Sequence, residues 1–218
     1  MNRAAFFDVD GLLVDSERLG TQVFREILEE KGIHLSAEEA QTYFVGRRDY
    51  DSYQLLFEDL KINEDISQIL RDHTHKYNQL LPCVDVLPGA TKIVNDCYNL
   101  GYKIGFVSGS YKNQVEVILK KVGLIGLDAP IISSEYRSNE RSIPGKPAPD
   151  GYFEAVRIVG VNITRSVVFE DSNAGVLAGK RSGAYVIGVK GTGQEDLSLA
   201  NYQVKTLLEI ERLFLEKY

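Results

Sequence analysis

The sequence predicts an α/β fold in which a parallel, doubly wound sheet is interrupted by a helical insertion. Short apolar runs alternate with helix-like segments after Leu87, which is typical of parallel strands joined by crossover helices. Between roughly residues 16 and 84 the pattern is instead helical throughout. Residues 1–15 and 85–218 are therefore predicted to form one α/β domain, and residues 16–84 a separate helical domain inserted into it.

The individual elements follow from the spacing of apolar residues. The predicted strands are the runs at 4–8, 103–108, 130–133, 166–170 and 185–189. Helices are expected between them, around residues 90–100, 111–122, 150–159 and 173–182. Three of these helices are followed by the glycines Gly101, Gly123 and Gly183. In the insertion, helical spacing predicts four helices and no strand, and Ser36 with Glu39 forms a capping box.

Composition excludes several classes of protein. The 218 residues carry 25 basic and 31 acidic side chains, a net charge of −6, and no dense run of Lys or Arg, so nucleic acid is not an expected partner. Cys83 and Cys97 lack the paired spacing of a zinc site and can form at most one disulfide. No apolar stretch approaches the ~18 residues of a membrane span. We expect a cytoplasmic monomer without a membrane partner.

Acidic residues follow two of the predicted strands. Asp8 and Asp10 end the first run and precede Gly11, so their carboxylates either face one small site or form a solvated acidic turn. Glu170 and Asp171 leave the fourth run directly, where acids are costly unless they are paired or bind a metal. Because parallel strands end at one edge of the sheet, these acids are predicted to bind a hard cation such as Mg²⁺.

The two remaining motifs are suited to an anion. Ser108 and Gly109 follow the second run and offer a hydroxyl and free backbone N–H groups, although Ser110 can equally be a plain helix N-cap. Lys146 lies in a stiff loop rich in proline and glycine, which is either an ordinary turn or a means of restraining the lysine. Together, Ser108, Gly109 and Lys146 are predicted to bind a phosphate beside the cation.

These motifs resemble those of the haloacid dehalogenase superfamily of phosphotransferases, in the branch that contains β-phosphoglucomutase and sugar-phosphate phosphatases. The resemblance covers essentially the whole chain, with the motifs in the family's order and spacing: Asp8 to Glu17, Ser108, Lys146 to Asp150, and Glu170 to Gly175. It implies a Rossmann-like core whose central strand carries Asp8. It also implies a four-helix cap, which corresponds to residues 16–84.

The resemblance assigns a role to each motif. Asp8 is the expected nucleophile, forming an aspartyl phosphate, and Asp10 the general acid and base. Lys146 is expected to contact the phosphate. The ligands implied for Mg²⁺ are Asp8, the backbone carbonyl of Asp10, Glu170 and Asp171. The predicted function is Mg²⁺-dependent hydrolysis of small phosphorylated metabolites such as sugar phosphates, since dehalogenases and transport ATPases of the superfamily lack an acid at the position of Asp10.

Substrate selection is expected to lie in the cap. Gly46, Arg47 and Arg48 resemble the family's specificity loop, although the arginines can equally be a solvated helix start. Lys76 on the fourth cap helix leaves the same two readings open.

Two alternatives differ in their sequence requirements. A mutase of the β-phosphoglucomutase type has a histidine on the first cap helix, where this chain has Gly20, and an arginine where it has Asp49. A non-catalytic phosphate-binding regulator is expected to have lost an acid or the lysine of the motifs, and none is lost. The sequence therefore favours a phosphatase.

Overall fold

The computed structural model of the protein describes residues 2–44, 49–138, 141–191 and 196–216. The chain divides into two compact units, which we call the core unit (Met1–Asp15 with Asp85–Tyr218) and the cap unit (Ser16–Val84). Across the described ranges, no helix has the length and apolar character needed to cross a membrane.

The core unit is built on a six-stranded sheet with parallel pairing throughout its described strands. The order across the sheet is β3 (Ile131–Ile132), β2 (Lys103–Val107), β1 (Ala4–Phe7), β6 (Ser166–Glu170), β7 (Tyr185–Val189) and β8 (Tyr202–Val204). All residues of β1 are buried, as an apolar strand at the centre of a two-sided sheet requires. The predicted α/β class is confirmed.

Helices connect the strands close to their predicted positions. They are α5 (Ala90–Asn99), α6 (Lys112–Val122), α7 (Asp150–Val159) and α8 (Asn173–Ser182). Gly123 and Gly183 end α6 and α8 in the left-handed conformation. The sequence does not predict β8, the short hairpin of β4 (Arg137–Ser138) and β5 (Arg141–Ser142), or α9 (Arg212–Leu215).

The described part of the cap unit contains four α-helices, as predicted. They are α1 (Ser16–Glu30), α2 (Ala37–Phe44), α3 (Asp49–Leu60) and α4 (Ile66–Leu80). The capping box at the start of α2 is present, with Ser36 N–H donating to Glu39 Oε2 at 2.8 Å and Glu39 N–H to Ser36 Oγ at 3.2 Å. The buried centre is aromatic: the rings of Phe24 and Tyr53 lie 4.8 Å apart, and the Tyr53 hydroxyl lies 2.9 Å from His73 Nδ1.

Gly20 allows α1 and α2 to approach each other. A Cβ atom at this position would lie 2.7 Å from Phe44 Cε1 and 2.8 Å from its Cζ. Phe44 is itself held against Phe24, with ring centroids 5.4 Å apart. The ring of Phe44 therefore fills the space that any side chain at residue 20 would enter.

Candidate active site

Strand register places the polar residues that follow β1 and end β6 beside each other. Phe7 lies opposite both Phe106 of β2 and Phe169 of β6. The next residue, Asp8, donates its backbone N–H to Phe169 O at 3.0 Å, which places it next to Glu170. The acids thus meet at the carboxyl edge of the sheet, where ligands bind in open parallel sheets.

Lys146 joins two of these acids in a buried cluster. Its Nζ donates to Asp8 Oδ1 and lies 2.6 Å from Glu170 Oε1. The side chain of Glu170 is fully buried, and that of Lys146 is 16% exposed. Carboxylate oxygens of Asp8, Glu170 and Asp171 all lie within 4.8 Å of one another. Three acids therefore share one lysine in a site largely closed to water.

Burial and like charges govern the ionisation of this cluster. Burial raises the pKa of Asp8 to about 8, with Lys146 opposing the rise and Glu170 adding to it. Burial, followed by the charges of Asp8 and Glu170, also holds the pKa of Asp171 well above its usual range. Burial acts to lower the pKa of Lys146, but Asp8 and Glu170 raise it above its ordinary value. Lys146 thus stays protonated, but its single positive charge does not compensate for the burial of the Asp8 and Asp171 carboxylates.

The cluster fits a divalent cation bound through oxygen. Carboxylate oxygens are preferred ligands of Mg²⁺, and a dication would stabilise the charged forms that burial disfavours. Two glycines leave space for the carboxylates of Glu170 and Asp171. A Cβ atom at Gly175 would collide with the Glu170 carboxylate, and one at Gly11, which has φ of 75°, with Asp171 Oδ2. The backbone therefore comes close to both acids only because these two positions lack side chains.

Asp10 lies in a different environment from Asp8. Its Oδ2 accepts hydrogen bonds from Ser108 Oγ at 2.9 Å and from Ser110 Oγ at 2.7 Å. The backbone N–H of Ser110 in turn donates to Ser108 Oγ at 2.9 Å. One oxygen of the Asp10 carboxylate is thus bound by two hydroxyls, whereas the three-acid cluster is formed by Asp8, Glu170 and Asp171. Metal contact through the backbone carbonyl of Asp10 stays a prediction.

The loop that carries Lys146 is fixed from both sides. Within the loop, Ala148 N–H donates to Gly145 O at 3.0 Å. From α8, Arg181 Nη1 donates to Pro147 O at 2.8 Å. These bonds restrain the backbone on either side of Lys146, as the stiff sequence of the loop predicts.

The remaining predicted site residues are Gly109 in the core unit and four residues of the cap unit. Gly109 is exposed, and the space beside its Cα is open. Gly46, Arg47 and Arg48 lie outside the described residues. Lys76 Nζ forms ion pairs within the cap unit, with Glu26 at 3.0 Å and Glu30 at 2.7 Å. Substrate contact by these four cap residues stays a prediction.

Sequence reasoning missed two residues of the site. Ser110 is not the N-cap of α6, since that position is Tyr111, and its hydroxyl bonds Asp10 instead. The spacing of Ser110, two residues after Ser108, is the sequence signal that could have indicated a second hydroxyl at the site. The other residue is Tyr152 of α7, whose hydroxyl donates to Glu170 Oε1. In sequence, Tyr152 is indistinguishable from an apolar core residue on the buried face of a helix.

Fold and motifs together define a family, and comparison with known proteins agrees. The family model for haloacid dehalogenase-like hydrolases matches residues 5–189. The chain therefore belongs to the haloacid dehalogenase-like hydrolases, and the resemblance of its motifs is confirmed at that level.

Two curated relatives are phosphatases. Validoxylamine A 7'-phosphate phosphatase of Streptomyces hygroscopicus subsp. limoneus is 26% identical over 216 residues, covering 96% of each chain. (DL)-glycerol-3-phosphatase 2 of Arabidopsis thaliana is 26% identical over 187 residues, covering 83% of this chain and 76% of its own. A crystal structure of a HAD family hydrolase from Deinococcus radiodurans R1, with bound phosphate and sodium, has a TM-score of 0.78 and 28% identity, covering 95% of this chain and 93% of its own.

Proposed function

We propose that the protein is a Mg²⁺-dependent phosphatase that hydrolyses small phosphorylated metabolites, such as sugar phosphates, through an aspartyl phosphate on Asp8. The observation that carries the proposal is the buried cluster at the end of the central strand, where Asp8 contacts Lys146 and lies close to Glu170 and Asp171. Membership of a hydrolase family and the phosphatases among its relatives support the same reaction class. A cytoplasmic location and a monomeric state stay predictions.

Asp8 is the nucleophile in this proposal. It is the first residue after the central strand, so the sheet fixes its backbone through the bond from Asp8 N–H to Phe169 O. Attack by a carboxylate on a phosphate dianion is opposed by charge repulsion, which the ammonium group of Lys146 offsets. The covalent step forms a bond from Asp8 to phosphorus and breaks the bond from phosphorus to the ester oxygen of the metabolite.

Asp10 moves the protons. It gives a proton to the departing alkoxide, and then takes one from the water that hydrolyses the aspartyl phosphate. The hydroxyls of Ser108 and Ser110 hold one oxygen of its carboxylate, whereas the Asp8 carboxylate is bonded to Lys146. Two carboxylates only two residues apart therefore have different surroundings, which suits their different tasks.

The phosphate and the metal would be held by neighbouring groups. Ser108, the Gly109 N–H and Lys146 are the proposed phosphate contacts, and Asp8, Glu170 and Asp171 the proposed side-chain ligands of Mg²⁺. When bound, Mg²⁺ supplies positive charge against the repulsion between Asp8 and the phosphate oxygens.

Packing at Gly20 favours the phosphatase over the mutase. The resemblance places a histidine of the mutases at this position, and here the Phe44 ring lies in the space that its side chain would need. NMR of an incubation with β-glucose 1-phosphate separates the two. We expect inorganic phosphate without isomerisation, and glucose 6-phosphate that forms faster than phosphate would favour the mutase.

Release of inorganic phosphate from a panel of metabolite monoesters tests the proposal. The wild type should turn over at least one sugar phosphate with Mg²⁺, lose activity after chelation and regain it when Mg²⁺ is restored. Asp8→Asn should abolish release, whereas Asp128→Asn, which makes the same change at an exposed aspartate of the core unit, should leave it unchanged. Full activity of the chelated wild type or of Asp8→Asn would contradict the proposal.

A further inference from the structure

Tyr152 contacts the acid cluster through Glu170. It lies in the first turn of α7, is fully buried, and packs near Phe6 of the central strand with ring centroids 6.4 Å apart. Its hydroxyl donates to Glu170 Oε1. A phenylalanine would fill the same apolar space, so the distinct contribution of tyrosine here is that one hydrogen bond.

Glu170 has two donors on the same oxygen, and they differ in their other duties. Lys146 Nζ, 2.6 Å from Oε1, is also bonded to Asp8. In the proposed reaction Lys146 must serve the phosphate as well. Tyr152 has no such second task in the proposed reaction, so the bond from its hydroxyl to Glu170 does not compete with phosphate binding.

The second oxygen of Glu170 is held much less firmly. Among the described residues, Oε2 accepts a hydrogen bond of 3.4 Å from Ser172 Oγ. The bond on Oε1 fixes the rotation of the carboxylate in a fully buried position, and Oε2 keeps most of its capacity to accept. This is the arrangement expected of a metal ligand whose orientation is set by a neighbouring donor.

We propose that Tyr152 is a positioning residue, whose hydroxyl orients Glu170 as a ligand for the divalent cation. The inference rests on the proposed function, because it takes Glu170 to be a metal ligand. Tyr152 itself touches neither the cation nor the substrate in this scheme, and it acts only through Glu170.

The test compares two buried hydroxyl deletions in the core unit. Tyr152→Phe removes the bond to Glu170. Tyr102→Phe removes a comparable bond, from a buried tyrosine hydroxyl to Leu215 O at 2.6 Å, and is the matched control. Mn²⁺ binding to the free proteins is followed by electron paramagnetic resonance. Loss of a donor to a metal ligand typically weakens affinity ~10–100-fold, which is the expected effect of Tyr152→Phe, and Tyr102→Phe should bind as the wild type does.

Steady-state kinetics give a second readout that a purely structural role would not move. Tyr152→Phe should raise the Mg²⁺ concentration needed for half-maximal phosphate release by a similar factor, with kcat at saturating Mg²⁺ close to that of the wild type. Equal Mn²⁺ affinity of Tyr152→Phe and the wild type would overturn this inference but leave the proposed function standing. A wild type that neither binds Mn²⁺ nor releases phosphate would overturn the proposed function, and this inference with it.

A double-mutant cycle tests the contact without any metal. Unfolding is measured in chelator for Tyr152→Phe, Glu170→Met, which removes both acceptor oxygens at similar volume, and the double variant. If the hydroxyl acts through Glu170, the two changes are not additive. Additive effects would overturn the inference, because they would show that the hydroxyl and the carboxylate do not interact.

Discussion

Glu154 is predicted to anchor the β4–β5 hairpin, which precedes the loop of Lys146, and to stabilise the core unit. Its side chain on α7 is only 7% exposed. It accepts four hydrogen bonds, from Tyr136 Oη at 2.8 Å, Ser138 Oγ at 3.2 Å, and Arg157 Nε and Nη2 at 2.9 and 2.6 Å. The perturbation is Glu154→Gln, which keeps the shape and removes the charge.

The size of the effect follows from the ionisation of Glu154. The bonds from Arg157, then those from Tyr136 and Ser138, lower the pKa of Glu154 from 4.5 to about 2, against the effect of burial. Each pH unit is worth about 1.4 kcal/mol, which sets an upper limit of about 3.5 kcal/mol on the stabilisation. Arg157 is 65% exposed, so solvent screening reduces the expected loss in Glu154→Gln to about 2 kcal/mol.

The direction of the pH dependence is fixed by the lowered pKa. The unfolded state binds the proton first as the pH falls, so the stabilisation is complete above pH 4.5 and is lost as the pH falls toward 2. The difference in unfolding free energy between the wild type and Glu154→Gln should therefore be smaller at pH 3 than at pH 7. Other acids titrate in both proteins and largely cancel from this difference.

Urea unfolding at both pH values is the assay, with Glu116→Gln as the control. Glu116 forms an exposed ion pair with Lys112 at 3.8 Å, and such pairs contribute about 0–1 kcal/mol. Equal losses in Glu154→Gln and Glu116→Gln at pH 7, or a difference between wild type and Glu154→Gln that does not change with pH, would refute the reasoning.

Two further predictions concern the phosphate contact and the cap unit. Lys146→Met should raise KM for a phosphomonoester and lower kcat, because the charge of the lysine acts in the ground and transition states alike. The control is Lys120→Met, at an exposed lysine, and equal steady-state kinetics of the two variants would contradict the role of Lys146. Gly20→Ala should lower the free energy of unfolding by about 1 kcal/mol, because overpacking against Phe44 costs about 1–3 kcal/mol and alanine restores only about 1 kcal/mol of helix propensity. Thermal unfolding measures this change, and a higher Tm would show that the ring moves aside freely.

The sheet is predictable because its strands are buried on both faces. The runs Ser166–Glu170 and Tyr185–Val189 are strands with the predicted bounds. Continuous apolar segments of this length, flanked by turn residues, are typical of strands buried in a parallel sheet. Tyr202–Val204 escapes prediction because it is a short edge strand with two exposed residues. The hairpin of β4 and β5 has strands of two residues each, which are too short to show any alternation.

The site is predictable where side chains follow strands and less so elsewhere. Parallel pairing alone places Asp8 next to Glu170, so their proximity follows from the order of the strands. The bonds to Asp10 and Glu170 from Ser110 and Tyr152 depend on side-chain directions in three dimensions. No periodicity or spacing carries that information, so these two contacts required the structure.

Intact-protein mass spectrometry of two variants tests the central claim, that Asp8 is the nucleophile and Asp10 the proton carrier. Asp10→Asn keeps the nucleophile and loses proton transfer, which is typically worth ~10²–10⁴ in rate. With p-nitrophenyl phosphate, whose leaving group hardly needs a proton, Asp8 should still be phosphorylated, while hydrolysis is slow because water has lost its base. The proposal predicts a phosphoryl adduct that accumulates in Asp10→Asn and is absent from Asp8→Asn. An adduct on Asp8→Asn instead would contradict it.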